Sequence, residues 1–444
     1  MDKDKNTKNE FNFSFILRAL KYRNYRLFFS GQLVSLIGTW MQQIALSWLV
    51  YRMTNSALML GLVGFVGQIP TFLFSPFAGV LVDRFNKHKI LIFTQTCAMM
   101  QAFIIVILIS TGSINVFYIL LLNAFLGIVN SFDAPTRQSF VVEMIENKED
   151  LGNAIALNSM MFNSARLIGP SIAGLLIAAV GESMCFLING ISYIAVIIAL
   201  LLMKINYKKA VHKQKQIVQE LKEGWNYTRN FKPIKYLLLL LGLVSLMGTP
   251  YVVLMPVFAR ETLHGGPHTL GFLVGSIGVG AFFGGMLLAS RKNVIGLGKI
   301  IMRAAFFFGV TLILFSFSKN IFLSMILLLI AGFAMMIQMA SSNTIIQTIV
   351  EDSKRGRVMS FYTMSFMGTM PIGSLLAGFT ASKIGATNTV IIGGICCIIG
   401  SLLFATRFQK FSKAVRPIYT KMGIIPEIAV GIESSSNLQV PPQD

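Results

Sequence analysis

Apolar residues along this chain occur in blocks of roughly 20, and polar or charged stretches separate one block from the next. A helix of about 20 residues is long enough to cross the hydrocarbon core of a bilayer, which is about 30 Å thick. Twelve such blocks can be delimited between residues 27 and 408. The pattern therefore predicts an all-α polytopic membrane protein with twelve transmembrane helices.

The composition excludes a water-soluble globular protein. Hydrophobic residues make up 54% of the chain and charged residues only 13%, whereas about a quarter of a soluble domain is charged. The cysteines Cys97, Cys185, Cys396 and Cys397 all lie inside apolar blocks without CxxC spacing. We expect them to be small buried apolar residues, so no disulfide framework, metal site or cofactor is predicted.

The net charge of +20 is distributed unevenly along the chain. In a soluble protein such a charge would suggest a nucleic acid partner. Here roughly 32 of the 38 Lys and Arg residues fall on the side of the N-terminus, and the other loops hold only Arg52, Arg260, Lys319 and Lys383. Basic loops stay in the cytoplasm. We therefore predict a multi-pass protein of the cytoplasmic (inner) membrane with both termini cytoplasmic, whose partner is the lipid bilayer and not nucleic acid.

One long polar stretch, Lys204–Lys235, divides the twelve blocks into six plus six. Ile217, Leu221 and Trp225 recur in it at helical spacing, which predicts an amphipathic helix on the inner membrane surface. The predicted organisation is an N-terminal segment (1–26), a first six-helix half (27–203), a linker (204–233), a second six-helix half (234–408) and a cytoplasmic tail (409–444).

The two halves are related in sequence. GPSIAGLLIAAVG (Gly169–Gly181) matches PIGSLLAGFTASKIG (Pro371–Gly385) at an offset of 204 residues. Parallel duplication of six-helix halves is found in secondary transporters. Small residues permit close helix approach. The helix-packing positions expected from this register are Gly169, Pro170, Gly174, Gly373 and Gly378.

The segment GVLVDRFNKHK (Gly79–Lys89) resembles the loop 2–3 signature of the major facilitator superfamily, G-x-L-x-D-R-x-G-R-K. Asn86 replaces the second glycine, and Asn also tolerates a positive φ. The resemblance implies that Asp83 and Arg84 latch the outward-open state. The alternative is an ordinary positively charged inner loop. The gating positions that the signature supplies are Gly79, Asp83, Arg84 and Lys87.

Three further segments, Phe132–Met144, Leu151–Gly174 and Leu254–Gly285, resemble the exporter branch of that superfamily, which includes the enterobactin exporter and macrolide-efflux-type proteins. The resemblance implies a secondary active exporter of a small amphipathic organic molecule, siderophore-like or drug-like, working by proton antiport. No GxxxxGK[ST] motif is present, so no ATP is implied. No nucleophile with a base and an orienting group can be named, so an enzyme is not predicted. The alternatives are a lysophospholipid flippase of the same fold and a membrane receptor or scaffold without transport.

Polar side chains recur at three- and four-residue steps on the first, fourth and fifth blocks, and charge inside a membrane is costly and by default functional. Arg166 lies about 18 Å along the fifth predicted helix. We expect these faces to line the substrate path. For the neutral residues the alternative is hydrogen bonding between helices, and for Arg166 it is a structural role. The predicted path residues are Gln32, Thr39, Gln42, Asn123, Asn130, Asn163, Arg166 and Gln338.

Asp133 is the acidic residue closest to the interior of a predicted helix. Arg137 lies four residues later, so the two can pair on one helix face. One interpretation is a structural pair at the inner end of the fourth helix, and the other makes Asp133 a gating or proton-linked residue. Because no carboxylate sits at mid-membrane in the sequence pattern, proton coupling is implied by resemblance alone.

Overall fold

A computed structural model describes residues 17–205, 217–291 and 293–424, and all regular secondary structure in these ranges is helical. Eleven of the described helices are long and apolar enough to cross a membrane. The remaining predicted helix, the eleventh in chain order, is present as 352–384, in which a π-helical turn joins two α-helical segments. The fold class predicted from the sequence is therefore confirmed.

The membrane-crossing helices are numbered here as spans 1 to 12. In chain order they are Arg23–Thr54, Ala57–Arg84, Lys87–Ser110, Val116–Glu143, Lys148–Val180, Glu182–Leu201, Lys232–Thr262, Pro267–Ala289, Leu297–Phe317, Ile321–Ile349, 352–384 and Ala386–Lys421. Between spans 6 and 7 lies the linker helix, Ile217–Asn230. Span 12 continues beyond residue 408, where the sequence placed the start of the tail, to Lys421.

Span 7 is the least regular of these helices. It changes from α-helix to a π turn at Val244–Gly248, to a 3-10 segment at Thr249–Leu254, and to a second π turn at Phe258–Thr262. Single π turns inside helices occur often at functional sites. Span 11 carries a π turn as well, at Met364–Gly368.

The duplication is visible in the backbone at the ends of spans 5 and 11. Gly181 has φ 86° and ψ 171°, and Gly385 has φ 85° and ψ 157°. Each glycine ends one helix and precedes the next without a loop. A positive φ favours glycine over other residues, which explains the shared residue at these two positions of the repeat.

Because an even number of spans alternates in direction, the first and last described residues and the linker helix lie on one side of the bundle, called here the terminal face. Tyr22 Oη donates a 2.8 Å hydrogen bond to Asp150, and Asn24 Nδ2 donates to the carbonyl of Lys204 over 2.9 Å. The ends of spans 1, 5 and 6 therefore meet at this face. The other side is called the opposite face.

The two halves pack together through two helix pairs, span 2 with span 11 and span 5 with span 8. Gly61 approaches Gly378 in the first pair, and Gly174 approaches Gly271 in the second. A Cβ built on Gly378 would lie 2.7 Å from the Ala57 carbonyl oxygen. All of these positions lie in the parts of the helices nearer the opposite face, so the halves close there.

Toward the terminal face the halves diverge. Spans 4 and 10 pack extensively only on helices of their own half. The first segment of span 11 packs on the linker helix, on span 10 and on the π turn of its own span. Ser159 of span 5 and Gln347 of span 10 are exposed. The two halves therefore contact each other near the opposite face and separate toward the terminal face.

The linker helix packs on the first segment of span 11. Glu223 and Arg357 form a 2.9 Å ion pair, and the ring centroids of Trp225 and Phe361 are 5.9 Å apart. The side chain of Leu221 lies outside the described part of the structure. The linker helix therefore packs on the second half.

Candidate functional site

Arg166 lies on span 5 where the two halves meet. Its guanidinium stands over the ring of Trp40 on span 1, 5.7 Å from the ring centroid, and Trp40 packs edge-on against Phe162. A Cβ on Gly278 of span 8 would lie 3.0 Å from the Arg166 carbonyl oxygen. The side chain is half-buried, and no carboxylate of the described residues pairs with it. The Trp40 ring accounts for part of its stabilisation, since a cation over an aromatic face is worth about 0.5–2 kcal/mol.

A polar face runs from Arg166 along span 5 toward the terminal face. Asn163 is half-buried and Ser159 is exposed, and the Asn163 amide donates a 2.8 Å hydrogen bond to the Ser159 carbonyl. Asn130 of span 4 is also exposed. These positions agree with a lining role, which stays a prediction.

The second half contributes a polar pair that the sequence reasoning missed. Gln347 Nε2 donates a 2.7 Å hydrogen bond to Asn343 Oδ1 on span 10. Their four-residue spacing is the same signal that was used on spans 1, 4 and 5, and applying it to span 10 would have found them.

Gln42 lies in a buried hydrogen-bond network between spans 1, 3 and 6. Its amide nitrogen donates to Gln101 over 3.0 Å, and Asn189 donates to its amide oxygen over 2.6 Å. Only 4% of Gln42 is exposed. The geometry favours hydrogen bonding between helices for this residue over a place on the substrate path.

Four other predicted path residues also have packing environments or local partners. Asn123 donates a 2.7 Å hydrogen bond to the Val63 carbonyl and so ties span 4 to span 2. Thr39 donates to the Ser35 carbonyl of its own helix. Gln32 and Gln338 are buried at 2% and 1% exposure. The Gln338 amide nitrogen makes no hydrogen bond within the described residues.

The helix-packing glycines fall into two classes. Gly169 packs on Trp40 of span 1, and Gly373 packs on Leu246 of span 7, each within its own half. Gly174 and Gly378 pack across the halves. Pro170 is buried beside this interface, and its carbonyl lies against Gly271. The repeat thus assigns equivalent packing partners to equivalent residues.

Asp133 is buried where spans 3 and 4 meet. Its Oδ1 accepts hydrogen bonds from Thr94 Oγ1 over 2.9 Å and from Gln95 Nε2 over 2.8 Å, and its Oδ2 lies 3.4 Å from Arg137. A carboxylate with these partners is compensated as an ion. The cluster joins the two helices near the terminal face. This geometry is compatible with a structural pair and with a gate, so both interpretations stay open.

The loop 2–3 segment is described in part. Span 2 ends at Arg84, and Lys87 Nζ forms a 2.6 Å ion pair with Glu143. Asn86 has φ −69° and caps span 3 through its side chain, so it does not use the positive φ that its exchange for glycine suggested. The surroundings of Gly79 and the side chains of Asp83 and Arg84 lie outside the described part of the structure, and the latch stays a prediction.

Two side-chain hydrogen bonds join the halves within the described residues, and both connect the ends of spans 1 and 7 at the opposite face. Tyr51 Oη donates to Glu261, and Arg260 donates to Asn55 Oδ1 over 2.9 Å. They reinforce the glycine contacts that close this face.

Tyr51→Phe is expected to open the opposite face more often, because it removes one of these hydrogen bonds without changing the ring. In a background whose four cysteines are replaced by Ala, a Ser374→Cys probe buried between spans 2 and 11 should react several-fold faster with an impermeant thiol reagent. Tyr118→Phe, an exposed tyrosine on span 4, is the control and should leave the rate unchanged. An unchanged rate in Tyr51→Phe would contradict a closing role for the hydrogen bond.

Two six-helix halves that close at one face of a membrane and diverge at the other form the fold of a major facilitator transporter, a class of transport proteins and not of enzymes. The chain belongs to the family of transmembrane secretion effectors, which matches residues 16–421. The resemblance to the exporter branch of the major facilitator superfamily is therefore confirmed.

Two named relatives match most of the chain. The chain is 26% identical to the staphyloferrin A transporter of Staphylococcus aureus (strain NCTC 8325 / PS 47), and the match covers 85% of this chain and 95% of the relative. It is 23% identical to macrolide efflux protein A of Streptococcus pyogenes, over 85% of this chain and 96% of that protein.

Among solved structures, the fold is similar to that of a bacterial homolog of the human lysosomal transporter Spinster in an inward-facing, unoccupied conformation. The TM-score is 0.69 at 15% identity, covering 88% of this chain and 98% of that one. The nucleoside transporter NupG gives a TM-score of 0.66 at 12% identity, over 88% of this chain and 99% of the other.

Proposed function

We propose that this transporter is a secondary active exporter of a small amphipathic organic molecule that carries an anionic group, and that the terminal face is cytoplasmic. The observation that carries the proposal is Arg166, a permanently charged side chain at the meeting point of the halves, without a carboxylate partner among the described residues. A cation at this depth is tolerated where it lines a wet cavity.

The substrate site in this proposal lies around Arg166. The guanidinium offers a planar fork of donors that matches a carboxylate or phosphate, and Trp40 and Phe162 offer apolar surface for the rest of the molecule. Asn163, Ser159 and Asn130 supply polar groups along the path to the terminal face. The relatives support a cargo of this size, since one is named for a siderophore and the other for macrolides.

Transport in this proposal follows alternating access. The described conformation is open at the terminal face, so it is the state that loads substrate from the cytoplasm. Release requires the helix pairs 2/11 and 5/8 to separate at the opposite face and the halves to close at the terminal face. Protons entering in exchange are the proposed coupling ion, and Asp133 with Arg137 is the proposed gate at the ends of spans 3 and 4.

Everted membrane vesicles test the direction and the coupling. When the vesicle interior is more acidic than the medium, vesicles containing the protein should accumulate a radiolabelled carboxylate siderophore several-fold above vesicles without it. A protonophore should abolish the difference. Accumulation in right-side-out vesicles instead would contradict export. Accumulation that survives the protonophore would contradict proton coupling.

The orientation has its own test. In the same cysteine-free background, Lys222→Cys on the linker helix should react with an impermeant thiol reagent only after the cells are permeabilised, because it lies at the terminal face. Lys319→Cys, which is exposed between spans 9 and 10 at the opposite face, is the control and should react in intact cells. The reverse pattern would place the termini outside.

A further inference from the structure

A cavity lined by residues of the first half alone lies among its membrane-crossing helices. It is a groove between spans 2, 3 and 4 with a volume of about 650 Å³, inside the range of roughly 300–1,000 Å³ that small-molecule sites occupy. We call it the lateral groove. Its lining includes Phe85 after span 2, Lys89, Phe93, Thr94 and Cys97 on span 3, and Phe125 on span 4.

The lateral groove has the depth of one membrane leaflet. On span 3 its lining runs from Asn86 at the terminal face to Cys97, which is about 16 Å at the helical rise of roughly 1.5 Å per residue. Half of a hydrocarbon core about 30 Å thick is of the same length. Phe85 and Phe93 are 60% and 70% exposed, so the groove offers apolar surface to a chain lying along it.

The polar groups of the groove are concentrated at its end on the terminal face. Lys89 is exposed there beside Asn86. The neighbouring Lys87 is paired with Glu143, and His88 contacts the Leu200 carbonyl at 2.7 Å. No described carboxylate pairs with Lys89, so its ammonium group is available to a ligand at this end.

We propose that the lateral groove binds one anionic phospholipid of the terminal-face leaflet, with an acyl chain along spans 2, 3 and 4 and the phosphate group at Lys89. An apolar groove one leaflet deep with the exposed Lys89 at its membrane-surface end matches that chemistry. Basic pockets between spans recognise anionic headgroups in this way.

The lipid would touch the Asp133 cluster. Thr94 lines the groove and donates a hydrogen bond to Asp133, which joins spans 3 and 4. An occupied groove packs these helix ends together in the described conformation. Lipid binding itself does not depend on the proposed export, so it can be measured without a transport substrate.

Native mass spectrometry of the full-length protein in detergent, titrated with phosphatidylglycerol or phosphatidylcholine, tests the proposal. Wild type should retain one phosphatidylglycerol with at least tenfold tighter binding than phosphatidylcholine. Lys89→Gln should lose that preference, and Cys97→Trp, which fills the groove, should lose the bound lipid. Lys410→Gln, an exposed basic residue on span 12, and Ile326→Trp, an exposed residue on span 10, are the matched controls.

The outcomes separate the possible occupants. Equal binding of both lipids in wild type and Lys89→Gln would overturn headgroup recognition. Retention of phosphatidylglycerol in a folded Cys97→Trp protein, judged by an unchanged thermal unfolding midpoint, would overturn the groove as the site. If neither lipid is retained by wild type while a hydrophobic drug such as a macrolide is, the groove serves substrate and the proposal is wrong.

Discussion

Arg166→Gln is expected to reduce export of an anionic substrate by about 10- to 100-fold, since a hydrogen bond to a charged group contributes about 1.5–3 kcal/mol. Arg166→Lys keeps the charge and loses the planar fork, so it should retain part of the activity. The measurement is the initial rate of accumulation in everted vesicles with matched amounts of protein in the membrane. An uncharged analogue of the same substrate should be affected much less than the anionic one.

Arg303→Gln is the matched control for this prediction. Arg303 lies on span 9 and is exposed, so its loss should leave export near the wild-type rate. Normal export by Arg166→Gln would show that the residue does not contact substrate. Failure of both Arg166 variants to accumulate in the membrane would assign it a structural role, and the argument for an anionic cargo would fail with it.

Gly378→Val is expected to abolish closure of the opposite face and to reduce export by more than tenfold. The new Cβ would stand 2.7 Å from both the Ala57 carbonyl oxygen and the Gly61 Cα, and backbone atoms cannot give way as a flexible side chain can. Overpacking costs about 1–3 kcal/mol. Because this cost applies only to the state open at the terminal face, the population shifts toward the other state. A Ser159→Cys probe should then react several-fold more slowly from the terminal face.

Gly356→Val tests the same substitution on the same span. A Cβ at Gly356 meets no atom within 4 Å, so this variant should export normally and leave the Ser159→Cys reaction unchanged. If Gly378→Val is labelled and exports at the rates of the wild type, the halves do not need this contact. If Gly356→Val is equally impaired, the loss comes from valine in span 11 and not from the interface.

The helices and their arrangement in two halves could be predicted from the sequence because each depends on neighbouring residues or on repetition. Blocks of apolar residues are dictated by the thickness of the bilayer, and the linker helix between residues 204 and 233 follows from helical spacing. The sequence register pairs Gly181 with Gly385, and both glycines have a positive φ in the structure. Asn86, which stands where the signature has glycine, does not have the positive φ that this replacement suggested. Asparagine is favoured both at helix N-caps and at positive φ, so the residue type alone does not distinguish the two.

The candidate site could be predicted only in part. The three- and four-residue spacing placed Asn163 and Arg166 on one face of span 5, and their place on the substrate path stays a prediction. The same spacing on span 1 selected Gln42, which is buried against Gln101 and Asn189. A polar residue inside a membrane has the same sequence signal whether it binds a neighbouring helix or lines a cavity. Only the position of the neighbouring helices distinguishes the two.

The sequence by itself determined that this protein is a helical membrane protein of two related halves, because hydrophobic block length and internal repetition are properties of the chain. The tertiary structure decided which face is closed, since that depends on distant pairs such as Gly61 with Gly378 and Gly174 with Gly271. It also decided that Arg166 meets Trp40 and that Tyr51 meets Glu261 across the halves. Residues this far apart in sequence come together only when helices pack, so no local pattern could have specified them.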